Sequence, residues 1–228
     1  LTVDANGEAG WEAAGGAGTG ETYVKLKTAG SASDTGNNTY AGYQAGLALA
    51  SGGNENTFYG NKAGKAVTTG DDNIAVGCSA LERVTTGSGH VAIGKHALET
   101  ATTVGELTAV GYGALKENTS GTNNTAVGFQ AGTAITDGNN NSLLGDMTGK
   151  SITSGGNNTL IGSEAGDAIT TADNNIAVGY GALSNCTTGS TNVAIGRSAL
   201  ISTTTTNDNT AVGAYALNAN TATGNTAF

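Results

Sequence analysis

A glycine recurs along this chain at a nearly constant spacing, each time directly after a short apolar stretch. The first interval between these anchor glycines is 18 residues and the next nine are 17 residues each. A constant period of this length is typical of a solenoid, in which each repeat forms one coil and stacks on its neighbour. With the residue four places before an anchor taken as position 1 of a coil, the anchor is position 5. The anchors are Gly42, Gly60, Gly77, Gly94, Gly111, Gly128, Gly145, Gly162, Gly179, Gly196 and Gly213.

Composition favours a thin stacked structure over an ordinary globular core. Among 228 residues there are 38 Gly and no Pro, only 5% are aromatic, and Ala and Val supply much of the hydrophobic content. A globular core of this length would need more large apolar residues. Disorder is the alternative for a chain rich in Gly, Asn and Thr, but the strict period of the apolar residues argues against it.

Position 1 is Asn in nine of the eleven coils, and only His90 and Leu107 interrupt the column. Equivalent residues of stacked coils lie about 4.8 Å apart, so their amides can hydrogen-bond along the stack as a ladder. Many Asn-x-Thr triplets, the acceptor motif of N-glycosylation, overlap this column, but the fixed spacing of the position-1 asparagines favours the structural interpretation. The predicted ladder is Asn38, Asn56, Asn73, Asn124, Asn141, Asn158, Asn175, Asn192 and Asn209.

Positions 2 to 4 predict a short β-strand. A β-branched residue usually occupies position 2, Ala position 3 and an aliphatic residue position 4, as in Ile74, Ala75 and Val76. Because side chains alternate across a strand, positions 2 and 4 share one face, whereas position 3 and the anchor share the other. A face of small residues predicts close approach of another layer, either a second strand of the same coil or a neighbouring subunit.

Positions 9 and 12 divide the coils into two kinds. Six coils have Leu at position 9, and the other five have Gly there with an aliphatic residue three places later. We expect one interior volume to be filled from either position, as in a packed core. We further predict two short strands and two turns in each coil, and a stack roughly 50 Å long. The five Gly-containing pairs are Gly46 with Leu49, Gly64 with Val67, Gly132 with Ile135, Gly149 with Ile152 and Gly166 with Ile169.

Two segments follow from this pattern. Residues 1–36 lie outside the repeat and are predicted to cap the first coil or join it to a preceding domain, with a strand at Thr22–Leu26 and Trp11 packed at the junction. Residues 37–228 form the repeat domain, and we expect the array to continue beyond the chain. The two cysteines, Cys78 and Cys186, lie six coils apart, about 30 Å, and are predicted to be unpaired packed thiols.

The sequence gives little indication of chemistry. A net charge of −9 without a basic stripe argues against nucleic-acid binding. The chain contains no run of 18 apolar residues, so the sequence predicts no membrane-spanning helix. His90 and His96 with Glu99 could bind a metal, but each occupies an ordinary repeat position. No nucleophile elbow, phosphate loop or regularly placed carboxylate pair occurs. We therefore predict no enzyme activity, no cofactor and no metal.

Acidic turns raise the question of calcium. Asp71, Asp72, Asp137 and Asp208 fall in turns, but calcium-binding β-rolls have a nine-residue period with regularly placed Asp. This chain has neither feature, so calcium is not expected.

Position 6, directly after the anchor, is the variable column. It contains several large residues, and exposed Tyr is common in sites for sugars and protein partners. We predict a surface binding row, although the same side chains could cover the flank of the rod or a subunit seam. The row consists of Tyr43, Lys95, Tyr112, Phe129, Tyr180 and Arg197.

Two versions of the repeat resemble known families. The segments 90–94 and 192–196, His-Val-Ala-Ile-Gly and Asn-Val-Ala-Ile-Gly, resemble the Asn-Ser-Val-Ala-Ile-Gly repeats of trimeric autotransporter adhesin heads. The longer units at 123–132 and 174–183 are similar to repeats of bacteriophage tail fibres. The adhesin unit is shorter than 17 residues and neither a stalk nor an anchor is visible, which favours the fibre.

This resemblance covers about 190 residues and implies a parallel left-handed β-roll with three chains around one axis. It implies a structural or adhesive role in attachment to a host surface, through a glycan or protein receptor. It also implies an extracellular location, on a virion or a cell surface. A bacterial adhesin head, a carbohydrate-active tailspike and an ice- or surface-binding solenoid remain alternatives. The last ranks lowest because the threonines look patchy.

Overall fold

The computed structural model is an all-β parallel solenoid of about eleven coils. It describes residues 37–49, 52–102 and 105–228, together with the backbone of three short strands within the first 36 residues. Nearly every coil adds one three-residue strand to a single sheet, which contains 13 strands in chain order. The strands are β1 Thr2–Val3, β2 Ala9–Gly10, β3 Val24–Lys25, β4 Thr39–Ala41, β5 Thr57–Tyr59, β6 Ile74–Val76, β7 Val91–Ile93, β8 Thr108–Val110, β9 Thr125–Val127, β10 Ser142–Leu144, β11 Thr159–Ile161, β12 Ile176–Val178, β13 Val193–Ile195, β14 Thr210–Val212 and β15 Thr226–Ala227.

Strands β4 to β15 pair in parallel, each with its neighbours along the chain. Leu143 pairs with Ala126 in the preceding coil and with Leu160 in the following one. Equivalent positions of the repeat therefore lie directly above one another. The period predicted from the anchor glycines is confirmed, and each column of the sequence alignment is a physical row along the rod.

The prediction of two strands per coil is wrong. Across the described coils, the side opposite the strand is a run of turns in which positions 7 and 9 have left-handed backbones, such as Ser79 with φ 58° and Leu81 with φ 52°. The coils are still hydrogen-bonded on this side, because the Leu81 N–H donates to the Ala97 carbonyl of the next coil at 3.1 Å. Stacking thus satisfies backbone groups around the coil without a second extended strand.

The asparagine ladder is confirmed, and it uses the whole amide group. The Oδ1 of Asn141 accepts the backbone N–H of Asn158 at 3.1 Å and its Nδ2 group at 3.0 Å. The same Nδ2 donates its second hydrogen to the Ala172 carbonyl at 2.9 Å, across the turn of its own coil. Both lone-pair sites and both donors of such an amide are used, so the polar column is stable in a buried environment.

The ladder changes where Asn is replaced. His90 is buried and its backbone N–H still donates to Asn73 Oδ1 at 3.0 Å. Leu107 is buried in the same column and supplies no amide. The ladder resumes at Asn124, whose Nδ2 donates to the Gly138 carbonyl at 2.7 Å and whose Oδ1 accepts from the next coil.

The two kinds of coil fill the interior as predicted, with position 3 also taking part. A Cβ added to Gly166 would lie 2.8 Å from Ile169 Cδ1 and 2.9 Å from Leu160 Cδ1. Every coil with Leu at position 9 has Ala at position 3, whereas four of the five Gly coils have Tyr, Phe or Leu there. In the fifth, Leu143 and Leu115 of the adjacent coils reach Gly132.

The anchor can only be glycine. Gly162 has φ 129°, and an added Cβ would lie 2.6 Å from the carbonyl oxygen of Gly179 in the next coil. A left-handed backbone and contact with the neighbouring main chain both exclude a side chain.

At the first coil, β3 pairs antiparallel with β4. This confirms the centre of the strand predicted at Thr22–Leu26, whereas Trp11 lies outside the described residues. The function of residues 1–36 as a cap or joint stays a prediction. Cys78 and Cys186 are unpaired, as expected.

Asn158→Ala tests the ladder. The substitution removes two donated bonds and leaves the backbone N–H and Nδ2 of Asn175 without their acceptor. We expect a loss of about 3 kcal/mol in the free energy of unfolding, since each unpaired buried group costs about 1–3 kcal/mol. Chemical denaturation followed by circular dichroism measures it. Asn185→Ala, at an exposed position, is the matched control; equal losses for the two variants would contradict the ladder.

Gly166→Leu tests the shared interior volume. Because Leu160 and Ile169 already occupy that space, overpacking should reduce the unfolding free energy by about 1–3 kcal/mol. The triple variant Leu160→Ala, Gly166→Leu, Ile169→Val reproduces the interior set Ala75, Leu81 and Val84. It should recover most of the loss in thermal denaturation. A triple variant less stable than Gly166→Leu would show that the positions are not exchangeable.

Candidate binding surfaces

The structure places all six residues of the predicted binding row at the surface. Each strand ends at an anchor glycine, and the next side chain points outward. Tyr43 is 52% exposed, Tyr112 and Phe129 are each 44% exposed, and Tyr180 is 53% exposed. Lys95 and Arg197 are also exposed. A binding role for this row stays a prediction.

Stacking brings some members of the row together and leaves others apart. Tyr112 and Phe129 stack in adjacent coils, with ring centroids 5.4 Å apart and planes 16° from parallel. Arg197 lies over the Tyr180 ring, with 6.0 Å from its Cζ to the ring centroid. Tyr43 is three coil steps from Lys95, with Asn61 and Cys78 at position 6 between them, so it does not join either cluster.

Two further residues extend these clusters and were missed from the sequence. The His96 ring meets Tyr112 edge-on at 5.9 Å, and the Tyr215 ring lies 5.6 Å from Arg197 Cζ. Both residues occupy position 7. Their backbones are left-handed, with φ 61° in each case. The column of Gly and polar residues at position 7 was a signal for this conformation.

The residues considered as metal ligands do not come together at one site in the structure. His90 is buried in the asparagine column, whereas His96 lies on the flank with its Nδ1 3.1 Å from Glu99 Oε2. Asp71 is used structurally, because its Oδ1 accepts the Asn54 backbone N–H at 2.7 Å. Within the described ranges, no three His, Cys, Asp or Glu side chains form a group that could hold a metal ion.

Charged side chains form small networks beside the binding row. Glu99 also lies 3.9 Å from Lys116 Nζ. Glu82 lies 3.7 Å from Lys62 Nζ and 3.8 Å from Lys65 Nζ. Burial raises the pKa of Glu82, but the hydrogen bond from Ser79 and the two lysines outweigh burial and leave that pKa below its ordinary value. These pairs are partly exposed, so they add little stability.

The outer face of the parallel sheet contains an aliphatic column at position 4, beside a position-2 column that is Thr or Ser in seven of eleven coils. Position 3 is buried throughout the described coils except the first, whereas positions 2 and 4 point to solvent. Half-buried valines lie between the most exposed members, so the apolar surface follows the sheet along the rod. Monomeric proteins rarely expose contiguous apolar patches larger than a few hundred Å². The most exposed members are Ile74, Val76, Ile93, Leu144, Ile161, Ile176 and Ile195, each 38–50% exposed.

A threonine column runs along another side of the rod, and the expectation of patchy threonines is wrong. Position 13 is Thr in ten consecutive coils, and in seven of them the hydroxyl donates to the carbonyl of the next threonine at 3.0–3.3 Å. Other threonines next to the column make it hard to recognise in the sequence. Its members are Thr68, Thr85, Thr102, Thr119, Thr136, Thr153, Thr170, Thr187, Thr204 and Thr221.

A second polar column, at position 16, was also missed. Its short side chains accept the position-16 backbone N–H of the preceding coil, at 2.7–3.1 Å. The acceptors vary among Asp, Asn and Ser, and other coils have Gly or Thr at this position, so residue identity alone does not reveal the column. The acceptors are Asp71, Ser88, Asn139, Asp173, Ser190 and Asn207.

Comparison with known proteins identifies no relative: neither a family model, nor a curated protein, nor a solved structure matches the chain. The fold therefore defines the class, a parallel β-solenoid repeat protein, without a family assignment. Among the described residues, no helix is long and apolar enough to cross a membrane.

The two thiols should react very differently with iodoacetamide. Burial raises the pKa of Cys186 to about 11, its Sγ donates to the Gly189 carbonyl at 3.2 Å, and the side chain is fully buried. Cys78 is partly exposed. We expect Cys78 to be modified at least about 100-fold faster at pH 8, because the thiolate is the reacting species. Peptide mass spectrometry over time measures both rates, and comparable rates in the folded protein would contradict the buried position of Cys186.

Proposed function

We propose that this chain is a segment of an adhesive fibre, a rigid rod that associates along its length and serves in attachment to a host surface. The observation that carries the proposal is the aliphatic outer face of the sheet. A rod that worked alone in water would gain by placing polar residues at position 4 as well as position 2, since one face of a sheet can be solvated. The chain has Thr or Ser at position 2 in seven of eleven coils, but it places Ile, Val or Leu at position 4 in nine consecutive coils.

The length of this face favours a stable interface between copies. The aliphatic column at position 4 is unbroken from Val76 to Val212, about 40 Å along the rod, and a standard interface buries about 800 Å² per partner. The face is regular, because equivalent residues of adjacent strands pair directly, so a second rod can lie along it in register. Self-association by a closed rotation buries equivalent surfaces in every copy. We propose three copies, as the resemblance to adhesin heads and phage fibres implies.

The remaining features fit a structural role. Most recurring residues stabilise the stack, and the variable residues lie on the outside at position 6. A rod of this kind holds a binding surface at a distance from the particle or cell that carries it. We propose an extracellular location, a host-surface glycan or protein as receptor, and no catalytic activity.

Solution mass tests association along the aliphatic face. Sedimentation equilibrium should give three times the chain mass of 22.2 kDa. The double variant Ile161→Lys, Ile195→Lys places charges at two exposed positions of the face and should shift the mass toward one chain with the β-type circular dichroism retained. The matched control is Asn185→Lys, Ser202→Lys, at exposed positions on another side. It should leave the mass unchanged. A folded single chain in the unmodified protein would contradict the proposal.

The threonine column supports a second candidate, an ice- or surface-binding solenoid. Threonine hydroxyl and methyl groups repeat at about 4.8 Å along one line, which is more regular than the sequence suggested. Against this, seven hydroxyl hydrogens are already donated to backbone carbonyls. Inhibition of ice recrystallisation by the chain, lost in Thr136→Lys, Thr153→Lys, would favour this candidate.

A further inference from the structure

The row of position-6 side chains contains an interval that lacks large residues. Between Phe129 and Tyr180, two consecutive coils carry Asp146 and Ser163. Three coil steps separate the two rings, which corresponds to about 14 Å along the rod. We call this space, bounded by Phe129 and Tyr180 with Asp146 and Ser163 between them, the aromatic gap.

Each of the two bounding rings is covered on the side away from the gap. Phe129 stacks on Tyr112, which belongs to the preceding coil. Tyr180 is covered by Arg197, which belongs to the following coil. Among the described residues, no ring or cation lies over either ring on the gap side. Two aromatic faces, each supported from behind, are therefore directed toward each other across the gap.

The width of the gap fits two inserted rings. Neighbouring rings in a stack lie about 4.5–7 Å apart, so one ring cannot contact both walls, whereas two rings would complete an unbroken stack. Fixed walls also reduce the entropy lost on binding, because Tyr112 and Arg197 already hold the two rings.

The space between the walls is polar and acidic. Asp146 is exposed and Ser163 is partly exposed. Glu164, at position 7, follows Ser163, and Asp167 is close enough to Glu164 to interact electrostatically. Burial, together with the nearby Glu164, raises the pKa of Asp167 above its ordinary value. Lys150 is the nearby cation that partly offsets these carboxyls.

We propose that the aromatic gap binds a neutral oligosaccharide, with one pyranose ring against Phe129 and a second against Tyr180. Sugar rings present C–H groups that pack on the negative face of an aromatic ring, and their hydroxyls can donate to Asp146 and bond to Ser163. A neutral glycan is favoured over a sialylated or uronic acid glycan because the carboxyls around the gap repel anions. The proposal rests on the attachment function proposed above and specifies its ligand.

Binding is tested with an array of neutral, sialylated and uronate-containing oligosaccharides, followed by calorimetric titration with the neutral oligosaccharide that gives the strongest array signal. We expect neutral glycans to bind and anionic ones to be rejected. Tyr180→Ala and Asp146→Ala should each weaken the titrated affinity about tenfold, a loss typical of one well-placed ring or polar contact. Phe228→Ala, which removes an exposed ring outside the binding row, should leave the affinity unchanged.

Ser163→Trp provides the sharpest variant, because an indole at this position would occupy the gap while the rod keeps its interior. It should abolish glycan binding without changing the solution mass or circular dichroism. Binding that persists in this variant, binding restricted to anionic glycans, or no binding to any glycan on the array would each overturn the proposal. If the rods associate but bind no glycan, the proposed glycan site in the aromatic gap is wrong and the proposed fibre stands. If a folded single chain binds the glycan, the proposed fibre is wrong and the glycan site stands.

Discussion

The buried asparagine column is the interaction on which the rest of this structure depends. Each amide joins two coils and also spans the turn of its own coil, as Asn158 does through Asn141 and the Ala172 carbonyl. Since a buried amide is costly unless it is fully bonded, a shift of one residue in any coil would leave several groups unpaired. The ladder therefore fixes the 17-residue register, and the register aligns the apolar, threonine and aromatic columns.

A fixed register explains why some positions are invariant and others exchange freely. The anchor glycines contact the main chain of the next coil, so a side chain has no space there. Positions 3, 9 and 12 share one interior volume, so Leu160 with Gly166 is equivalent to Ala177 with Leu183. Position 6 is neither in contact with the main chain of the next coil nor part of the shared interior volume, so its residue type can vary. Variation at the surface of a conserved stack is the arrangement that a recognition surface requires.

Much of the fold could be predicted from the sequence because columns of a repeat report on packing directly. The period, the Asn ladder and the exchange between positions 9 and 12 were all visible. The turns on the side of the coil opposite the strand could not be predicted, because Leu81 and Ser79 have no intrinsic preference for the left-handed backbone that stacking imposes. The alternation of Gly with Leu at position 9 was the available signal. The surface row was predicted residue by residue, but its grouping into two clusters depends on ring and cation contacts between coils, with His96 and Tyr215 contributing from position 7.

The structure thus has a stabilised interior and two distinctive exposed surfaces, the aliphatic face, for which we propose association, and the position-6 row, for which we propose recognition. Both depend on the stack. A crystal structure that resolves the side chains between Asn124 and Asn209 tests this account most directly. It should show a rise of about 4.8 Å per coil and an Oδ1-to-Nδ2 contact near 3.0 Å between Asn141 and Asn158. Asparagine side chains in this column that point to solvent, or a rise that varies from coil to coil, would contradict it.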